Sequence, residues 1–140
     1  MARSRRRTRV PPPRRLILDS GAVIALSRND ERSRAVLAAA REAGVEVSIP
    51  SVVVAETVRG SAEDASVDRV IRAVGEVTSA DEHTGRVAGG LLGAARSSAA
   101  VGAVVVASAI ELGGGVVLTG DPDDLEPHAT DHPEIIIRRR

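Results

Sequence analysis

Apolar positions recur along the chain in two kinds of run: short blocks with no polar face, and longer stretches spaced three and four apart. Leu16-Ile17-Leu18 is the first short block, and Asp19-Ser20-Gly21 turns it at once into a short helix ending near Leu26. Asn29-Asp30 is expected to cap a helix over residues 31–43, with Val36, Leu37 and Ala40 as its apolar stripe and Gly44 as its stop. Val45, Val47 and Ile49 alternate with Glu46 and Ser48 as a strand that Pro50 ends. Ser51 is expected to cap a helix over residues 52–59. Its Val52-Val53-Val54 start favours strand by propensity, but Pro50 and the Gly60-Ser61 stop favour a helix. Ser61 with Asp64 opens a helix to about Ala73, placing Val67, Val70, Ile71 and Val74 on one face.

Residues 76–78 read as a short strand, and Ser79 with Glu82 as the capping box of a helix reaching Ala95 with Val87, Leu91 and Leu92 inward. After a Ser97-Ser98 linker, residues 100–112 are almost continuous alanine and valine. Their length, their alanines and the glycine run 113–115 favour a buried helix over a strand. Val116-Val117-Leu118 has no polar face, as in a parallel sheet covered on both sides. Residues 119–125 turn into a short helix, and Ile135-Ile136-Ile137 forms the last strand. Strand and helix alternate with no hairpin signal and no internal repeat. The expectation is an α/β/α sandwich around a mostly parallel central sheet.

A length of 140 residues suits one domain with a proper core. The absence of cysteine excludes a disulfide frame, a thiolate zinc site and thiol catalysis. The core must be aliphatic, because there is no Phe, Tyr or Trp; base stacking on aromatic platforms is excluded for the same reason. No stretch approaches the ~18 apolar residues of a membrane span, and no secretory signal is read, so a cytoplasmic protein without membrane contact is expected. Formal neutrality hides an asymmetry. Residues 1–15 hold seven of the 19 positive charges, all arginine, and no acid, which leaves residues 16–140 with a net charge of −7. Residues 1–15 are therefore read as a disordered basic arm and residues 16–140 as the folded domain.

Open parallel sheets collect ligands outside the carboxyl ends of their strands. Asp19 and Asp121 both follow strands, and Glu56 lies early in the helix that leaves the second strand. Taken singly, Asp19 and Asp121 read first as helix caps and Glu56 as a solvated acid. Gathered at one edge, they would repel one another unless a cation such as Mg²⁺ or Mn²⁺ neutralised them.

Leu18-Asp19-Ser20-Gly21-Ala22, Val54-Ala55-Glu56-Thr57, the alanine-valine run before Glu111-Leu112-Gly113, and Val117-Leu118-Thr119-Gly120-Asp121 together resemble a PIN domain of the VapC toxin type over residues 16–137. The resemblance implies an endoribonuclease that uses Mg²⁺ or Mn²⁺ to direct water at RNA phosphodiesters, restrained by a VapB-like antitoxin and commonly dimeric. It implies Asp19, Glu56 and Asp121 as catalytic acids and metal ligands, Asp124 as an auxiliary ligand, and Ser20 and Thr119 as supporting hydroxyls. The family frame Asp-Ala-x-Val-x-Ala reads Gly102-Ala103-Val104-Val105-Val106-Ala107, so an expected carboxylate is missing at Gly102 and weakened activity follows. Arg28, Arg59 and the basic arm are the candidate RNA contacts. A catalytically inactive module that keeps antitoxin binding is the alternative. A phosphatase-like or response-regulator-like domain with Asp19 as nucleophile would want a late lysine, and the chain has none. His83, His128 and His132 are expected on the surface, and Gly113-Gly114-Gly115 is a turn, since it lacks the Lys and Ser/Thr of a P-loop.

Overall fold

The computed structural model describes residues 15–140, so the arm expected over residues 1–15 lies outside the described residues except at Arg15, where the expectation is corrected. Arg15 opens the first strand. Its Nη1 pairs with Glu46 Oε2 at 2.6 Å and its Nε donates to the Leu112 carbonyl at 3.0 Å. The strands are β1 (Arg15–Leu18), β2 (Glu46–Pro50), β3 (Val77–Thr78), β4 (Gly115–Thr119) and β5 (Ile135–Arg139). They form one sheet in the order β3-β2-β1-β4-β5, with every neighbouring pair parallel. The helices are α1 (Ser20–Ser27), α2 (Glu31–Glu42), α3 (Ser51–Thr57), α4 (Ala65–Val74), α5 (Glu82–Ala95), α6 (Ala100–Glu111) and α7 (Pro122–Ala129).

The chain steps from β1 outward to β2 and β3, then crosses back to β4 and on to β5. Because parallel crossovers keep one hand, the first four helices cover one face of the sheet and the last three the other. Packing follows that division: α1 lies against α3 and α4, while α6 lies against α5 and α7. The core is aliphatic throughout. Ile17, Leu18, Ile49, Val117 and Leu118 from the sheet meet Val23, Val53, Val105 and Val106 from the helices, all fully buried. Each such side chain contributes about 1.5–3 kcal/mol of transfer free energy. The valine run of α6 is helical despite its propensity because residues 105–109 are all buried, so packing rather than local preference sets the conformation. Among the described residues, no single helix is long and apolar enough to cross a membrane.

Three local expectations are corrected. Ser51 is the first residue of α3 rather than its cap, which is Pro50 with an extended backbone. That helix ends at Thr57, not Arg59. The Asp64 carboxylate accepts from the N–H groups of Arg59, Gly60 and Ser61 at 2.7–3.2 Å and draws the chain out of the helix. The cap of α5 is Asp81, not Ser79: Asp81 Oδ1 accepts from the Thr84 N–H at 2.9 Å, and Thr84 Oγ1 accepts from the Asp81 N–H at 3.3 Å.

Candidate active site

The connections out of β1 and β4 run in opposite directions along the sheet, which opens a crevice between these two neighbouring strands at their carboxyl ends. Asp19 follows β1 and Asp121 follows β4, so both enter that crevice. Each occupies the N-cap position of the next helix, and neither side chain makes a capping hydrogen bond. The capping role that each acid invites by position is not the one it performs.

Thr119 joins the two segments. It is fully buried, its Oγ1 donates to Asp19 Oδ2 at 2.8 Å, and the same oxygen accepts the Asp121 N–H at 3.0 Å. The Asp19 N–H donates to the Leu118 carbonyl at 2.9 Å, which registers the end of β1 against β4. Gly21 permits this approach. A Cβ at that position would stand 2.7 Å from the Gly120 backbone nitrogen and 2.9 Å from its Cα, a contact that packed atoms do not tolerate.

Asp19, Ser20, Glu56, Asp121 and Asp124 line one cavity of about 320 Å³, and Gly102 at the start of α6 lines it with them. Burial first, and then the Asp19 charge, push the Glu56 carboxyl above its ordinary value, while Ser20 and Arg59 oppose the shift. Asp124 is raised chiefly by the charge of Asp121 and by hydrogen bonding to it, with burial, Asp123 and Asp19 adding. Among the described residues, no neighbouring cation fully offsets the negative charge around Glu56 and Asp124. An all-oxygen donor set of this kind suits a hard divalent ion. Among the described residues, no three or more His, Asp or Glu side chains stand together closely enough, as placed, to hold a metal ion.

A Cβ built on Gly102 would make only ordinary contacts, 3.6 Å from the Asp124 carbonyl, 3.8 Å from Leu125 Cδ1 and 3.9 Å from His128 Cδ2. Arg59 is exposed and close enough to influence Glu56. Arg28 sits at the opposite end of α1 from Asp19 and does not line the cavity. Sequence reasoning missed Arg139 and Arg140: Arg139 Nη1 donates to the Gly120 carbonyl at 3.5 Å, and the Arg140 N–H donates to the Thr119 carbonyl at 2.9 Å. The arginine run 138–140 at the end of β5 was the available signal. The histidine expectation is corrected for His128, which is 2% exposed with both ring nitrogens unpartnered, because α7 presses its ring into the interior. His83 is exposed and His132 is half-buried.

These features define a parallel α/β sandwich with an acidic site at its strand-order switch. The chain belongs to the PIN-domain family, whose model matches residues 16–127. Its fold is similar to three solved structures of low identity. VapBC2 from Rickettsia felis bound to a promoter DNA fragment gives a TM-score of 0.70 at 12% identity, covering 90% of this chain and 98% of that one. A toxin–antitoxin complex from Klebsiella pneumoniae gives 0.65 at 15%, covering 86% and 95%. FitAcB from Neisseria gonorrhoeae gives 0.62 at 17%, covering 88% and 96%. Comparison with curated protein sequences gives no match.

Proposed function

We propose that this PIN domain is the toxin of a type II toxin–antitoxin pair, a Mg²⁺- or Mn²⁺-dependent endoribonuclease weakened by glycine at position 102. The observation that carries the reading is the meeting of Asp19 and Asp121 at the strand-order switch with both carboxylates unspent on capping. The likeness in fold to chains of toxin–antitoxin complexes supports it. A small VapB-like antitoxin is then the protein partner, the working form is a homodimer, and the compartment is the cytoplasm.

Asp19, Glu56 and Asp121 are the residues to hold the cation, with Asp124 beside them. When bound, such an ion shields the charge of a phosphodiester and orients water. Thr119 keeps the Asp19 carboxylate aimed, and the Ser20 hydroxyl favours the ionised form of Glu56. An acidic cavity repels RNA, so arginines must bring the phosphates in. Arg59 acts on Glu56, and Arg139 and Arg140 bond the backbone just before Asp121, which makes these three the candidates.

The test restores the missing acid. Gly102→Asp has room for its Cβ and is expected to raise Mn²⁺-dependent cleavage of single-stranded RNA by about tenfold, the rate equivalent of ~1.4 kcal/mol, and to increase growth toxicity. Equal cleavage by both versions overturns the assignment of position 102. The glycine itself favours a second reading, a binding module that keeps its antitoxin surface without the chemistry. Calorimetric titration with Mn²⁺ separates the two: binding abolished by Asp19→Asn supports the nuclease, whereas no binding by the unaltered chain supports the module.

A further inference from the structure

We propose that the space beside Gly102 is a binding site for a small free monocarboxylate, formate being the best fit, which enters together with the cation and supplies the carboxylate that the chain lacks there. The inference rests on the nuclease reading of the acid cavity and adds a second ligand to it. Ala99, Ala100, Val101 and Gly102, the cap and the opening residues of α6, all line that cavity, so the helix points into it end-on. No side chain caps this end, and its first turn holds no acid. The Ala100 and Ala103 N–H groups donate to the Ser98 and Ala99 carbonyls at 2.9 and 3.2 Å, which leaves those of Val101 and Gly102 without a backbone partner among the described residues. Free N–H groups at the positive end of a helix dipole favour an anion.

His128 points to the same place from the other side. Its side chain is 2% exposed, and neither ring nitrogen has a partner among the described residues. A neutral imidazole carries one N–H donor, and a buried donor left unpaired is costly. The ring edge faces position 102: a Cβ built there would stand 3.9 Å from Cδ2, the carbon that adjoins Nε2. A carboxylate seated beside Gly102 accepts from the helix N–H groups on one side and from the imidazole on the other. The Asp124 carbonyl and Leu125 Cδ1, 3.6 and 3.8 Å from the same point, restrict its size, which favours formate and excludes aromatic acids. Asp19, Glu56, Asp121 and Asp124 line the cavity and repel an anion that comes alone. A divalent cation among them reverses that sign, so the two ligands are coupled and each tightens the other by the same factor.

The test is calorimetric titration of the full chain with Mn²⁺ in sodium chloride, sodium formate and sodium benzoate at equal ionic strength, with the α6 amides and the His128 ring followed by NMR in Mg²⁺. Formate is expected to tighten Mn²⁺ binding about fivefold or more, the lower end of the usual coupling range, and to shift the amides of residues 101–103 and the His128 ring. Chloride and benzoate are expected to do neither. Gly102→Asp carries its own carboxylate at this point and is expected to bind Mn²⁺ more tightly in chloride and to gain nothing from formate. His128→Asn is expected to lose most of the formate gain; should that variant fail to fold, Gly102→Asp still decides. Equal Mn²⁺ affinity in formate and chloride overturns the proposal alone, as does a formate gain that persists in Gly102→Asp, that is undiminished in folded His128→Asn, or that benzoate reproduces. No Mn²⁺ binding in any of the three salts overturns the nuclease reading and the proposal together.

Discussion

Thr119 serves two neighbours through one oxygen, donating to Asp19 and accepting from Asp121 in a fully buried position. Thr119→Val keeps the shape and removes both bonds, leaving a buried carboxylate with one partner fewer. We expect a stability loss of about 1–3 kcal/mol by chemical denaturation, and a larger proportional loss of Mn²⁺ affinity than of stability. Gly21 sets two effects against each other. Alanine is the better helix former by about 1 kcal/mol, but its Cβ would collide with backbone at Gly120, which cannot rotate away as a side chain would. Overpacking typically costs about 1–3 kcal/mol, so the clash wins. Gly21→Ala is expected to lower the melting temperature and to part the two acid-bearing loops, whereas alanine at exposed Gly89, where a Cβ would meet nothing, is expected to raise it.

Among the elements, alternation of strand and helix was legible because β1, β4 and β5 carry compact aliphatic blocks, β2 alternates apolar and polar residues, and glycines follow α2, α4 and α6. The position of the acids was legible for the same reason, since strand ends are where a parallel sheet exposes a crevice. Caps were less so: Ser79 with Glu82 and Asp81 with Thr84 have the same spacing, and only the packing of buried Thr84 selects the second pair. The end of α3 was hidden because it depends on Asp64, five residues past Arg59, folding back onto three N–H groups. His128 looked like a surface residue because nothing local marks which side of α7 meets the interior. Those three N–H bonds hold the Asp64 carboxyl below the usual carboxylate range, that of Arg59 contributing most. A depressed folded value gives stability that is present at neutral pH and lost as pH falls through that value. Asp64→Asn is accordingly expected to melt below the parent at neutral pH, with the difference closing in acid, where the parent has lost the same advantage.

For the whole molecule, the acidic cavity opposes the aliphatic core. Glu56 and Asp124 are raised above their ordinary values, so ionising them destabilises the folded state. That destabilisation is present above the raised values and fades as pH falls through them, while the cation binding proposed for the site, which would need the ionised forms, is expected to weaken over the same interval. Glu56→Gln and Asp124→Asn are each expected to raise the melting temperature at neutral pH without added metal, and to lower Mn²⁺ affinity in calorimetry. The hydrogen bond from Thr119 to Asp19 spans 100 residues of chain. A ribosome that has released everything through α6 has delivered Asp19 and Glu56 but neither Thr119 nor Asp121. The acids therefore cannot come together until the segment beyond α6 has been made, and a polypeptide that stops at α6 carries Asp19 and Glu56 without the other two acids.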